Sequence, residues 1–160
     1  MRKYFYTLIA LLAWIGLPAS QALADNGYSK QKVVYHINYD DPKTQAGALR
    51  NIQNHINAVG ADKLDIKVVL HGNGLALLIL PEAMPDLPKF KHANANDQMA
   101  ARIDGLKQQN VSFQVCANTV RGRKVSVEDH LYDVEDSDIV PSGVAELARL
   151  QQLGYVYIKP

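Results

Sequence analysis

The chain is 160 residues long, 48% apolar, with a formal net charge of +1 and a single cysteine. That length bounds it to about one typical domain, with enough apolar material to bury a core of its own. The near-neutral charge argues against nucleic acid or an anionic lipid surface as the main partner, and the lone cysteine excludes an intramolecular disulfide and a C-x-x-C redox pair.

In chain order, Arg2 and Lys3 precede an apolar run over residues 8–17, Pro18 ends it, and Ala22-Leu23-Ala24 supplies small residues at the A-x-A spacing of a signal-peptidase site. Residues 1–24 therefore read as a signal peptide that is removed, leaving residues 25–160 as an exported domain, with a bacterial periplasm as the expected location. The run is shorter than the about 20 residues that span a bilayer. No cysteine follows the cleavage motif, so no membrane anchor is expected in the mature chain. Loss of Arg2 and Lys3 takes the formal charge from +1 to −1.

Residues 32–38 have the β-branched and aromatic content of a buried strand. Asp41-Pro42 then offers an N-cap followed by proline, and Leu49, Ile52, Ile56 and Val59 recur on one helical face that Gly60 closes. Residues 64–70 read as a second strand, followed by the turn His71-Gly72-Asn73-Gly74 and a short buried helix over 75–80. Three prolines make 81–92 a loop, and Met99, Ile103 and Leu106 mark an amphipathic helix from about 94 to 109. A third strand covers 111–116 and ends in Cys116. The segment after it, Ala117 to Lys124, reads as a turn carrying three cations, and 126–133 as a short acidic helix. Ser142 caps a helix to Leu153 with Val144, Leu147 and Leu150 inward, and 155–159 closes as a last strand whose Tyr155 and Tyr157 suit a sheet edge. Alternating strands and helices predict a single three-layer α/β/α domain with a mostly parallel sheet.

Ligands in such folds gather beyond the carboxyl ends of the strands. Three strands deliver polar residues there: His36 and Asn38, His71 and Asn73, Cys116 and Asn118. Cys116 has two readings, a thiolate nucleophile stabilised by Arg121, Arg123 or Lys124, or a small hydrophobe in a core strand. His71 and Asn73 either line a ligand pocket, with Gly72 and Gly74 letting backbone N–H groups approach, or belong to a tight turn held by its own backbone. The five histidines lack ligand-pair spacing, so no metal is expected, and the acidic residues over 128–138 read as a solvated surface.

Three segments, residues 68–75, 111–119 and 141–155, together resemble the DsrE/DsrF-like (YchN-like) family. The resemblance implies a DsrE-like three-layer domain, homo-oligomers (often trimers or hexamers) or hetero-oligomers, and no organic cofactor. In the family's sulfur-relay members a cysteine at the position of Cys116 carries a persulfide between proteins, which would make this chain a sulfurtransferase or sulfur carrier working with a sulfur-donor or sulfur-acceptor protein. Those members are cytoplasmic, whereas this chain carries an export signal. Under this reading Cys116 accepts the sulfur, Arg121 and Arg123 stabilise its anion, and His71, Asn73 and Asn118 line the site. The other reading is a non-catalytic oligomeric module binding a small molecule or a protein.

Overall fold

The computed structural model describes residues 27–160; the expected signal peptide at 1–24 and the new terminus at Asp25 lie outside the described residues. Five strands form one sheet: β1 (Gln31–Ile37), β2 (Leu64–Leu70), β3 (Ser112–Cys116), β4 (Ile139–Val140) and β5 (Val156–Ile158). Their spatial order is β4-β3-β2-β1-β5, and every pairing is parallel. The predicted mostly parallel sheet is therefore parallel throughout the described residues.

The helices form where local chemistry starts and stops them. In α1 (Pro42–Val59) the Asp41 carboxylate accepts the Thr44 N–H at 2.7 Å, proline sits in the first turn, and Gly60 ends the helix at φ 100°. Asn96 caps α2 (Asp97–Lys107) through the Met99 N–H. The segment read as a cationic turn is instead a helix, α3 (Ala117–Arg123), stopped by Lys124 in the left-handed region at φ 58°. The acidic segment shrinks to one turn, α4 (Val127–His130), and Ser142 caps α5 (Gly143–Gln152). The buried helix expected over 75–80 is instead a 3-10 turn over Gly72–Leu77, after which Ile79 makes an isolated antiparallel bridge to Leu131.

Strand alternation divides the sheet into two unequal faces. Val33, Tyr35 and Ile37, with Ile66, Val68, Leu70, Phe113 and Val115, join α1 and α2 in the main core. Val34 and Val69 face the other way and form a smaller cluster with Leu147, Leu150 and Tyr155. The second face thus carries a single helix, α5, which crosses from the β4 edge to the β5 edge. Leu147 and Leu150 point inward as predicted, whereas Val144 is 66% exposed. It lies in the first turn of α5, where the helix rims the carboxyl edge of the sheet and has no strand beneath that position. Tyr155, expected at an exposed edge, is buried and donates its hydroxyl to Asp65 at 2.5 Å; Tyr157 is partly exposed.

A buried polar clamp holds the loops at the carboxyl edge. Gln45, fully enclosed on α1, donates to the carbonyls of Tyr39 (2.6 Å) and Gly74 (3.2 Å) and accepts from Asn94 at 2.7 Å. Asn94 donates also to the Asp40 carbonyl at 2.9 Å. The loops after β1 and β2 and the segment before α2 are thereby tied together, each buried amide partnered as the low local dielectric demands.

Candidate functional site

The polar residues at the strand ends converge because their strands are neighbours. Leu70 pairs with Val115 and His36 with Val69, so His71 and Cys116 continue at one level at the mouth of the sheet. Alternation puts His36, Val69, His71, Gln114 and Cys116 on the α5 face. A cleft of about 470 Å³ opens there, lined by His71, Gly72 and Lys89, by Cys116, Asn118, Thr119, Gly122 and Arg123, and by Ser142 and Val144 from the start of α5.

Cys116 occupies the N-cap position of α3 and is 5% exposed. Burial pushes its thiol up, but the Gly143 N–H, the Thr119 hydroxyl and the N–H groups of Thr119 and Asn118 pull it down by more, and the net result lies below the ordinary value. These donors face the sulfur without closing a cap hydrogen bond to it, as suits a weakly accepting thiol. A thiolate in the same place gains from all of them. The Thr119 oxygen itself accepts the Gly72 N–H at 2.8 Å, which ties the β2 loop to the sulfur's environment.

The guanidinium groups expected to stabilise the thiolate are held elsewhere. Arg121 donates to Asn118 Oδ1 at 2.5 Å and does not line the cleft. Arg123 does line it, fixed by Asn73 Oδ1 at 2.6 Å, by the Lys89 carbonyl at 3.3 Å and by the Phe90 ring 4.4 Å from its guanidinium carbon. Asn73 therefore stands behind the cleft as a positioner of Arg123. The anion-stabilising groups at the sulfur are backbone amides and a hydroxyl, and the fixed cations, Arg123 and Lys89, lie at the cleft wall.

The glycines have specific roles. At Gly143 an added Cβ would lie 2.9 Å from His71 Cβ and 3.3 Å from Cys116 Cβ, so this residue lets the two side chains flank the start of α5. At Gly74 a Cβ would fall 1.9 Å from the Ile37 carbonyl oxygen. Gly74 is thus needed for close approach to β1 rather than for approach to a ligand; Gly72, at φ 56°, supplies the left-handed turn.

His71 has partners that its sequence context did not reveal. Its Nε2 lies 2.7 Å from Nε2 of His36, with the ring planes within 19° of each other, and Nδ1 of His36 lies 2.7 Å from the Tyr157 hydroxyl. Burial, then the neighbouring His71 and Lys159, lowers His36 to about 4; burial, then Lys159, lowers His71. Both imidazoles are therefore neutral at neutral pH. The contributions of Thr119 and Gly143 were also missed. One trace of the first was present: Cys116 and Thr119 have the spacing of a cap and the third residue of a helix, hidden by a cap residue that is not Ser, Thr, Asp or Asn.

Among solved structures, the chain is similar to a protein of unknown function, MTH1491 from Methanobacterium thermoautotrophicum, at 27% identity and a TM-score of 0.64, covering 82% of this chain and all of that one. It shares its fold with the ychN protein from E. coli, at 16% identity and a TM-score of 0.58, over 81% of this chain and 99% of that one. No curated protein matches it. The model of the DsrE/DsrF-like family matches residues 31–160, from the first strand to the last residue and across every element that builds the cleft, and the chain belongs to that family.

Proposed function

We propose that this protein handles sulfur compounds by accepting sulfane sulfur on Cys116 as a persulfide and passing it to the thiol of a partner protein. Membership in the DsrE/DsrF-like family suggests a role in sulfur metabolism. The observation that carries the finer reading is the surroundings of the one thiol: it lines an open cleft, and the groups that face it are hydrogen-bond donors that favour its anion. Arg123 and Lys89 on the same wall suit an anionic donor such as thiosulfate or polysulfide. In the step itself the Cys116 thiolate attacks the outer sulfur, a new S–S bond forms, the donor's S–S bond breaks, and the leaving sulfite or shortened polysulfide takes the electron pair. Attack by the partner's thiolate on the terminal sulfur then returns Cys116 as a thiolate, with no net oxidation. The leader at residues 1–24 supports a periplasmic site of action.

Incubation with thiosulfate or polysulfide is expected to add the mass of sulfur to the wild type and none to Cys116→Ser. Wild-type protein that gains no mass, or a gain that survives in Cys116→Ser, refutes the carrier reading. The second reading, a non-catalytic oligomeric binding module, draws on the exposure of Val144, Leu153 and Val156 around the thinly covered sheet face. It expects an assembly larger than one chain by light scattering and a thiol that resists alkylation in the native state.

A further inference from the structure

A second concave site lies on the other side of the sheet from the Cys116 cleft. A hollow of about 340 Å³ opens between α1 and α2, with the buried side chains of Leu49 and Leu106 in its lining. It exists because α2 presents Ala101 and Gly105, one turn apart, where larger side chains would fill the seam between the helices. A Cβ at Gly105 would meet nothing within 4 Å. Two arginines flank the hollow, Arg50 from α1 and Arg102 from α2. Arg102 also borders an adjoining hollow of about 200 Å³ that reaches Lys43 and Met99 near the start of the helices.

The charge on these walls is uncompensated. Among the described residues neither Arg50 nor Arg102 has a hydrogen-bond or ion-pair partner, whereas Lys67, Lys107 and Arg149 each meet a carboxylate. No Asp or Glu lines either hollow. Charges of one sign on low-dielectric walls focus their field into the space between them. At the far end Gln53 and Gln109 bridge the two helices by reciprocal amide hydrogen bonds of 3.1 and 2.8 Å, which closes the seam. A peptide laid along the groove would need it open at both ends. A small molecule does not.

We propose that the α1–α2 hollow binds a small amphiphilic anion, its apolar chain over Leu49, Leu106 and the gap at Gly105, and its carboxylate- or sulfonate-type head between Arg50 and Arg102. The volume falls in the range of small-molecule sites, about 300 to 1,000 Å³. Planar guanidinium forks suit a head with two or more oxygens. Burial of the chain supplies affinity, and the arginines select the sign of the head. The site is separate from the chemistry at Cys116 and stands whether or not the sulfur-carrier reading holds.

The test is a calorimetric titration of the protein with decanoate. Saturable binding of one decanoate per chain is expected, with a Kd below about 1 mM. Decyltrimethylammonium, which has the same chain and the opposite charge, is expected not to compete. Arg102→Gln, at an exposed position, should weaken binding about tenfold through loss of a charge-assisted hydrogen bond. Gly105→Leu fills the hollow with a better helix former and should abolish binding, while Cys116→Ser binds as the wild type does. Decanoate collected by the exposed Val144, Leu153 and Val156 would be indifferent to both substitutions in α2. Binding that survives Gly105→Leu, or that Arg102→Gln leaves unchanged, therefore overturns the assignment. So does a wild type with no saturable binding, or one that takes an acidic peptide and not decanoate. Should Gly105→Leu fail to fold, Arg102→Gln and the cationic competitor decide.

Discussion

Thr119→Val isolates one contribution to the thiolate while nearly conserving volume. The Thr119 hydroxyl faces the Cys116 sulfur and is itself polarised by the Gly72 N–H it accepts at 2.8 Å. Valine keeps the methyl and removes the donor. A hydrogen bond to a charged acceptor is worth about 1.5 kcal/mol at the low end of its range. A loss of about 1 to 1.5 kcal/mol lowers the thiolate population about fivefold to tenfold at any pH below the midpoint. The assay is the rate of iodoacetamide alkylation across pH, read by intact mass. The curve for Thr119→Val should move to higher pH, with about fivefold to tenfold slower labelling at neutral pH, while Thr119→Ser stays near the wild type. Loss of the Gly72 partner should cost about 1 kcal/mol of stability besides, visible as a small fall in Tm. Equal alkylation rates in wild type and Thr119→Val would refute the assignment of the donors at the sulfur.

Two stability predictions follow from the buried polar groups. His36 is lowered to about 4 from 6.5, so the native state holds it neutral while the unfolded chain binds a proton. The associated stability is complete above pH 6.5 and is lost as pH falls toward 4. At 1.36 kcal/mol per unit the loss is capped at about 3 kcal/mol, and screening at the solvent-open Tyr157 end reduces it to roughly 1 to 2. Tm measured from pH 7.5 to 4 should therefore fall less steeply in His36→Gln than in the wild type, and parallel curves would contradict the assignment. Gln45→Leu keeps the bulk but strands the carbonyls of Tyr39 and Gly74 and leaves Asn94 with Asp40 alone. At about 1 to 3 kcal/mol per stranded group the expected cost is about 3 kcal/mol, or roughly a 10 °C fall in Tm, by calorimetry.

Local chemistry alone determined most of the elements, because their signals lie within a few residues of one another. Asp41-Pro42 and Gly60 bracket α1 almost to the residue, and the apolar runs at 32–38, 64–70 and 111–116 carry β1, β2 and β3. The alternation of strands and helices, with the three family-like segments, led to a DsrE-like α/β/α domain, and Cys116, His71 and Asn118 do meet at one cleft. Only the tertiary structure decided what each of them touches. α3 escaped because its cap is a cysteine; β4 escaped because two residues carry no period. Of the arginines that follow Cys116 in sequence, Arg121 stays off the cleft and Arg123 is fixed at its wall by Asn73, Lys89 and Phe90, since a helix projects nearby residues in different directions. Beyond the local donors Asn118 and Thr119, the sulfur is met by Gly143, His71 by His36, and His36 in turn by Tyr157, residues 27, 80 and 41 positions from Cys116 along the chain. No local pattern records such pairings: they exist only because parallel strands lie side by side and α5 crosses over them.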